Sequence, residues 1–325
     1  MKKAQSSYVG RSDQIFGVRE VRLVGGKGDG MRLYQIRNGS GLEVAVSLDR
    51  CADLSEVRFR GINIGYFSPC GYVAPTYYDN EDIGFLKSFT AGFLTTCGLT
   101  SVGSPCIDEG EKLPLHGTIS NTPAEQTSWW IADEVIHVKA IIRDASLFSY
   151  ALELEREYLF PLFENKLILK DIVKNIGNRE APLQMLYHCN IGYPMLSEHT
   201  ILDIPSMNVK PRNQHAAEGI PAWMKMEPPQ HGYEEMCYYH EMRENTTIKV
   251  LQPDLHIGLE LSYDAQKLPC FTEWKMMGEG EYVLGIEPGN AYPDGRDVIR
   301  KQGKLEYLQP SRQRTHQIQW KFTEG

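Results

Sequence analysis

Two histidines and a glutamate share a setting in this chain. His116 stands in Leu115-His116-Gly117, His188 precedes Gly192 and Pro194, and Glu287 precedes Pro288 and Gly289. Each therefore falls at or just past the end of an extended run, where a rigid scaffold can hold it and a cleft can reach it. An imidazole and a carboxylate facing one small cavity can move protons on both sides of a substrate, one donating while the other accepts. A sugar hemiacetal needs that pair. To open the ring, the anomeric hydroxyl loses a proton and the ring oxygen gains one; closing on the other face inverts C1. The sequence carries no Gly-x-Gly-x-x-Gly, no Walker loop and no Gly-x-Ser-x-Gly elbow, so no nucleophile or cofactor motif competes with this reading.

The elements that must position these groups read as strands. Period-two alternation dominates, with turn residues between segments. A strand over residues 31–37 turns at Asn38-Gly39-Ser40-Gly41 into Leu42, Val44, Val46 and Leu48, one buried face. Ile136, Val138, Ala140 and Ile142 share a face, as do Tyr150, Leu152, Leu154 and Arg156, and later Leu255, Ile257, Leu259 and Leu261. A strand over residues 181–187 leads to His188. Alternation puts Gln184, Leu186, His188 and Asn190 on one of its faces. Residues 68–125 and 195–245 lose the alternation and read as long excursions lining a cleft above the sheets. Helical periodicity is weak throughout. The pattern predicts an all-β protein, one domain over residues 1–325, built as a sandwich of large antiparallel sheets. Trp129 and Trp130 read as packing residues.

Composition narrows the partners. The 325 residues carry a net charge of −8, which argues against a phosphate backbone as ligand. The seven cysteines are odd in number and form no Cys-x-x-Cys pair, as expected of reduced thiols in a cytoplasmic protein. The start, Met1-Lys2-Lys3-Ala4-Gln5-Ser6-Ser7-Tyr8, lacks the apolar core of a signal peptide, and no run approaches a membrane span. Open strand edges leave room for pairing into a homodimer.

Five stretches, in this order, carry a family resemblance: Asp49-Arg50-Cys51-Ala52-Asp53-Leu54, Gly92-Phe93-Leu94-Thr95-Thr96-Cys97-Gly98, Leu115-His116-Gly117, Tyr187-His188-Cys189-Asn190-Ile191-Gly192-Tyr193-Pro194, and Gly285-Ile286-Glu287-Pro288. On them the chain resembles the aldose 1-epimerase, or galactose mutarotase-like, superfamily and its DUF4432 branch. The resemblance implies a β-supersandwich and an isomerase without cofactor or metal that interconverts sugar anomers. His188 would be the general acid at the ring oxygen and Glu287 the general base at the anomeric hydroxyl. His116 would bind and orient the sugar. Arg50, Asp53, Asn190, Trp274 and Lys275 are further candidates for sugar contacts. The segment after the acid departs from the ordinary mutarotases, reading His-Cys-Asn-Ile-Gly-Tyr-Pro where they have a longer aromatic motif. Two other classes stay open: a metal-dependent sugar isomerase using His116, His188, His240, Glu241 and Glu287, and a carbohydrate-binding protein without activity.

Overall fold

The structure, a computed structural model, describes residues 7–324. Residues 1–6, most of the stretch read above as lacking a leader, lie outside it. Three antiparallel sheets make up most of the molecule. The amino-terminal one has five strands in chain order, Phe16–Arg22, Arg32–Asn38, Leu42–Ser47, Asp53–Phe59 and Ile62–Asn63. An eight-stranded sheet runs from the hairpin Gln126–Ala132 and Val135–Ala145 through Ala151–Pro161, Lys166–Asn175 and Gln313–Glu324 to Ile257–Tyr263, Thr246–Gln252 and Ile201–Asp203. A seven-stranded sheet centres on Ala181–Gly192, which pairs with Glu281–Gly289, Leu94–Leu99 and Glu306–Leu308. The fold is the all-β sandwich of large sheets that the alternation predicts, and helix is confined to short turns such as Gln214–Gly219 and Arg296–Lys301.

Alternation sets the layers. In Val135–Ala145 the residues Ile136, Val138, Ala140 and Ile142 are buried while their neighbours are half-exposed. Leu152, Leu154, Leu167, Leu169, Ile318 and Trp320 extend this inner face, and Leu183, Met185, Tyr187, Cys189 and Ile191 meet it from the seven-stranded sheet. The Leu42–Ser47 strand differs from the sequence reading, because Ala45 and Ser47 are buried as well. Trp129 and Trp130 also differ. They lie on the outermost strand of the eight-stranded sheet, are 42% and 39% exposed, and Trp130 stacks on His137 with centroids 4.8 Å apart.

The strand holding His188 is longer than the sequence reading of residues 181–187. It runs Ala181–Gly192, so His188 is inside it rather than at its end, and every one of its residues is buried. Its odd-numbered side chains enter the core. Its even-numbered ones point to the other side, where Leu186 packs with Cys97, Val102, Ala291 and Ile299 and Gln184 Oε1 accepts the Val102 N–H. This strand is thus a partition, with the core behind it and the loops of residues 84–117 in front. Both faces are covered, so a polar face can be buried without losing its place in the sheet.

Behind the partition sits a buried ionic hub. The Arg156 guanidinium bonds Asp171 through Nε and Nη2 at 2.9 and 2.7 Å and Asp53 through Nη1 at 2.5 Å; Nη2 also donates to Thr96 Oγ1 at 2.8 Å. Tyr187 O–H donates to Asp171 at 2.9 Å, and the Thr96 N–H and hydroxyl donate to Asp53. One side chain, wholly buried, ties all three sheets together. Breaking a buried pair from one side leaves uncompensated charge and costs about 3–5 kcal/mol. Arg156→Leu, which strands both Asp53 and Asp171, is expected to lose that much stability in urea unfolding. A loss below about 1 kcal/mol would show that the hub does not hold the sheets.

Candidate active site

Three adjacent strands deliver the site. Register pairs Cys189 with Ile286 and Thr272 with Glu287, which lays Ala181–Gly192, Glu281–Gly289 and Cys270–Gly278 side by side. Alternation then presents His188, Glu287, Thr272 and Trp274 on the face away from the core. Gly285 lies on that face two residues before Glu287, and a Cβ there would overlap Glu287 Oε1. The glycine is the space in which the carboxyl sits.

His116 arrives from a loop. Its backbone adopts φ 60°, a left-handed conformation uncommon outside glycine, though histidine tolerates it better than most. It is held there because the His116 N–H donates to Gly103 O at 2.8 Å, while His116 O accepts from the Gly98 N–H at 3.1 Å. The following Gly117, at φ 72°, has the carbonyls of Gly98 and Ser101 crowding the position of a Cβ. Backbone strain held this firmly is commonest where a side chain must be aimed. The ring lies edge-on to His188, with centroids 5.6 Å apart.

The cleft so formed has a volume of about 350 Å³. Trp274 and Phe89 stand edge-on to the His188 ring at 5.3 and 5.5 Å, and Phe85 lies 5.2 Å from His116. At its floor His188 Nε2 and Glu287 Oε1 are 3.2 Å apart, and both residues are almost fully buried. Oε1 makes no hydrogen bond, nor do Nδ1 of His188 and Nδ1 of His116. Buried polar groups are normally satisfied, so these three unmade bonds leave hydrogen-bonding capacity on residues that line the cleft.

Burial disfavours charge on both members of the pair. It pushes His188 down to about 3, with the neighbouring His116 adding to the effect and Asn190 opposing it. It lowers His116 to about 4, helped by the charge of Arg212. It drives Glu287 well above the ordinary carboxylate range, reinforced by Glu235 and opposed by Arg212. The favoured form of the free protein therefore carries one proton on the pair, held by Glu287 and facing a neutral imidazole.

Of the residues singled out from the sequence, the fold brings His116, His188, Trp274 and Glu287 to the cleft. Four others lie elsewhere. Arg50 is buried with Nε on Ser120 O at 2.7 Å and Nη1 on Val73 O at 2.8 Å, both backbone carbonyls away from the cleft. Asp53 belongs to the Arg156 hub. Asn190 shares the His188 face but lies one pleat on, donating to His188 O at 3.0 Å. Lys275 points to the opposite face from Trp274, donates to Lys225 O at 2.6 Å and pairs with Glu227 at 3.2 Å. The positions of Arg50, Asp53 and Lys275 run against the expectation of direct sugar contact, and adjacency along a strand explains Lys275: neighbours face opposite ways.

Of the five residues weighed as metal ligands, His116, His188 and Glu287 meet at the cleft and the other two do not. His240 lies on the core side of the sheet against Phe271, and Glu241 is at the surface with Lys210. Among the described residues no three His, Cys, Asp or Glu side chains converge as a ligand set. Sequence reading missed Arg212, Glu235 and the aromatic wall of Phe85 and Phe89. All four fall within the two stretches without alternation, residues 68–125 and 195–245, where position along the chain gives no face. Among the described residues no helix is long and apolar enough to cross a membrane.

Comparison with known proteins fits this geometry. The crystal structure of a "putative aldose 1-epimerase" from Klebsiella pneumoniae superimposes with a TM-score of 0.91 at 26% identity, covering 96% of this chain and 86% of that one. A galactose mutarotase-like protein from Clostridium acetobutylicum gives 0.71 at 12% identity, covering 96% and 100%. A galactose 1-epimerase from Lactobacillus acidophilus gives 0.63 at 14%, covering 95% and 99%. The last two likenesses show the fold alone. No curated protein matches the chain. The fold is galactose mutarotase-like, and the model of the family described as a domain of unknown function, DUF4432, matches residues 28–322; the chain belongs to that family.

Proposed function

We propose that this protein is a sugar epimerase that interconverts the anomers of a free aldose or close derivative by opening and closing its ring. The observation that carries the reading is the His188–Glu287 pair, buried, 3.2 Å apart and with a hydrogen bond unmade at Oε1, on the floor of an aromatic-walled cleft. The two oxygens that exchange protons in a hemiacetal are bonded to the same carbon. An acid and a base standing this close can therefore each reach one of them.

The proton count is simple. In the ring-opening direction His188 carries the pair's one proton and Glu287 is the carboxylate. Glu287 takes the proton from the anomeric hydroxyl, and His188 gives its own to the ring oxygen as the C1–O5 bond breaks and the C1 carbonyl forms. The pair then again holds one proton, now on Glu287. After rotation about C1–C2 the same two transfers run backwards and close the ring on the other face. The form that burial favours, protonated Glu287 with neutral His188, is the form that closes the ring. Opening begins once the pair's proton is on His188, and a sugar hydroxyl donating to Glu287 supports the carboxylate that this leaves. His116 and Trp274 border the same cleft and are assigned to holding the sugar.

Two outcomes follow. Glu287→Gln keeps the shape but can neither take nor give the proton, so turnover is expected to fall by about 10²–10⁴-fold with binding largely retained. Anomer exchange followed by NMR checks this, and unchanged turnover would overturn the assignment of Glu287. The second outcome concerns pH. A second proton reaches His188 only near its lowered value of about 3, far below the ordinary 6.5, whereas the pair's single proton is lost only above the raised value of Glu287. The rate is therefore expected to stay level from about pH 5 to 7 and to fall on the alkaline side. An acid limb centred near 6.5 would mean that His188 is not buried as a neutral group.

A further inference from the structure

Among the described residues, Arg212 is the one lysine or arginine that lines the cleft. It follows the strand Ser206–Pro211, and its N–H donates to Cys237 O at 3.0 Å, which fixes its backbone beside the Met236–Met242 strand. One edge of its guanidinium is anchored: Nη2 donates to Ser104 Oγ at 2.8 Å and to Pro293 O at 3.3 Å. The rest is not. Nη1 has only Cys237 Sγ, at 4.0 Å. Nε stands 3.9 Å from Asp294 Oδ1, beyond hydrogen-bond reach, and that oxygen is occupied by the Tyr239 hydroxyl at 2.5 Å. A guanidinium with 28% of its side chain exposed thus keeps donors on Nε and Nη1 unspent. The other charged wall residue besides Glu287 is Glu235, whose Oε2 is taken by the Trp274 indole N–H at 2.7 Å.

We infer that Arg212 receives an oxyanion on the substrate, so that the cleft selects an acidic aldose bearing a carboxylate, sulfonate or phosphate; this rests on the anomer-exchange reading above. A planar fork with two unspent donors fits a group with two acceptor oxygens, whereas a lone hydroxyl would satisfy one of them. The position is close to the chemistry, since the charge of Arg212 acts on both His116 and Glu287. An anion seated against Arg212 would offset that charge beside the pair. Arg50 and Lys275, cations that the sequence offered as candidates for sugar contacts, are committed elsewhere in the fold.

The test compares sugars in pairs. Anomer exchange is measured by NMR on glucose against glucuronate, galactose against galacturonate, and glucose against its 6-phosphate and its 6-deoxy-6-sulfonate, with binding of the same sugars by calorimetry. Wild type is expected to favour at least one acidic partner in kcat/KM by about 10- to 100-fold, the range of hydrogen bonds to a charged group. Which acid is favoured identifies the oxyanion. Arg212→Gln is expected to lower that acid-over-neutral ratio by the same factor. Arg212→Lys, which keeps the charge but not the fork, is expected to lower it by less, and carries the test if the Gln variant does not fold. Equal rates for acidic and neutral sugars in wild type would overturn the proposal and leave the epimerase reading standing, as would equal losses for both in Arg212→Gln. If no sugar exchanges, the epimerase reading falls and calorimetry decides for Arg212. Acid binding lost in Arg212→Gln supports it, and no acid binding by wild type overturns it.

Discussion

The structure depends on one buried cation. Arg156 contributes no chemistry to the cleft, yet it is where the three sheets meet, through Asp53 from the first, Asp171 from the second, and Thr96 and Tyr187 around the third. Burial is the largest single influence and works against its charge, but Asp171, Tyr158 and Cys51 together outweigh it, so the guanidinium is held above its ordinary range. Asp53 is raised by burial despite Arg156 and Thr96. Such a network is high-stakes because it is stable only when complete. Tyr187 is the residue before His188, and Thr96 pairs with Tyr187 across the ladder. The hub thus fixes, from behind, the strand that carries the imidazole in front.

The partition strand resolves an apparent conflict between fold and chemistry. A histidine and a glutamate inside strands belong to the best-held part of a protein, but a buried ion pair is expensive. The site avoids much of that cost because burial leaves both groups neutral, with one proton between them. The same desolvation that removes the charges sets the pair's proton count. A second pair in the molecule shows what else is needed. His240 Nε2 and Glu273 Oε2 are 3.3 Å apart, wholly buried and also without hydrogen bonds at those atoms. They face the core side, with His240 packed edge-on against Trp223 and Phe271. The chemistry of the two pairs is alike. They differ in that the strands turn His188 and Glu287 toward a cleft and turn His240 and Glu273 away from one.

The loops complete what the sheets begin. Phe85 and Phe89 wall the cleft, His116 is aimed into it by a left-handed backbone, and Arg212 reaches it from the second excursion. Rigid strands thus supply the pair, and irregular backbone supplies the parts that would distinguish one ligand from another. That division suits a fold whose acid and base stay fixed while the shape and charge of the walls change.

Much of this was legible in the sequence by itself. Alternation fixed the strands, because a sheet with one buried face imposes period two on its apolar residues. The all-β class, the buried runs around Ile136 to Ile142 and Leu152 to Leu154, and the shared face of Leu186, His188 and Asn190 all follow from it. The setting of His116, His188 and Glu287 marked them out before any geometry. The tertiary structure decided what local pattern does not encode. It placed His188 within its strand, since that boundary depends on which neighbours pair with it. It drew Arg50, Asp53 and Lys275 into the frame and brought Arg212 to the cleft. A cation's type and place in sequence do not say whether its donors will be spent on backbone, on a carboxylate or on nothing. That depends on which distant strand arrives beside it, and only the folded chain fixes the arrival.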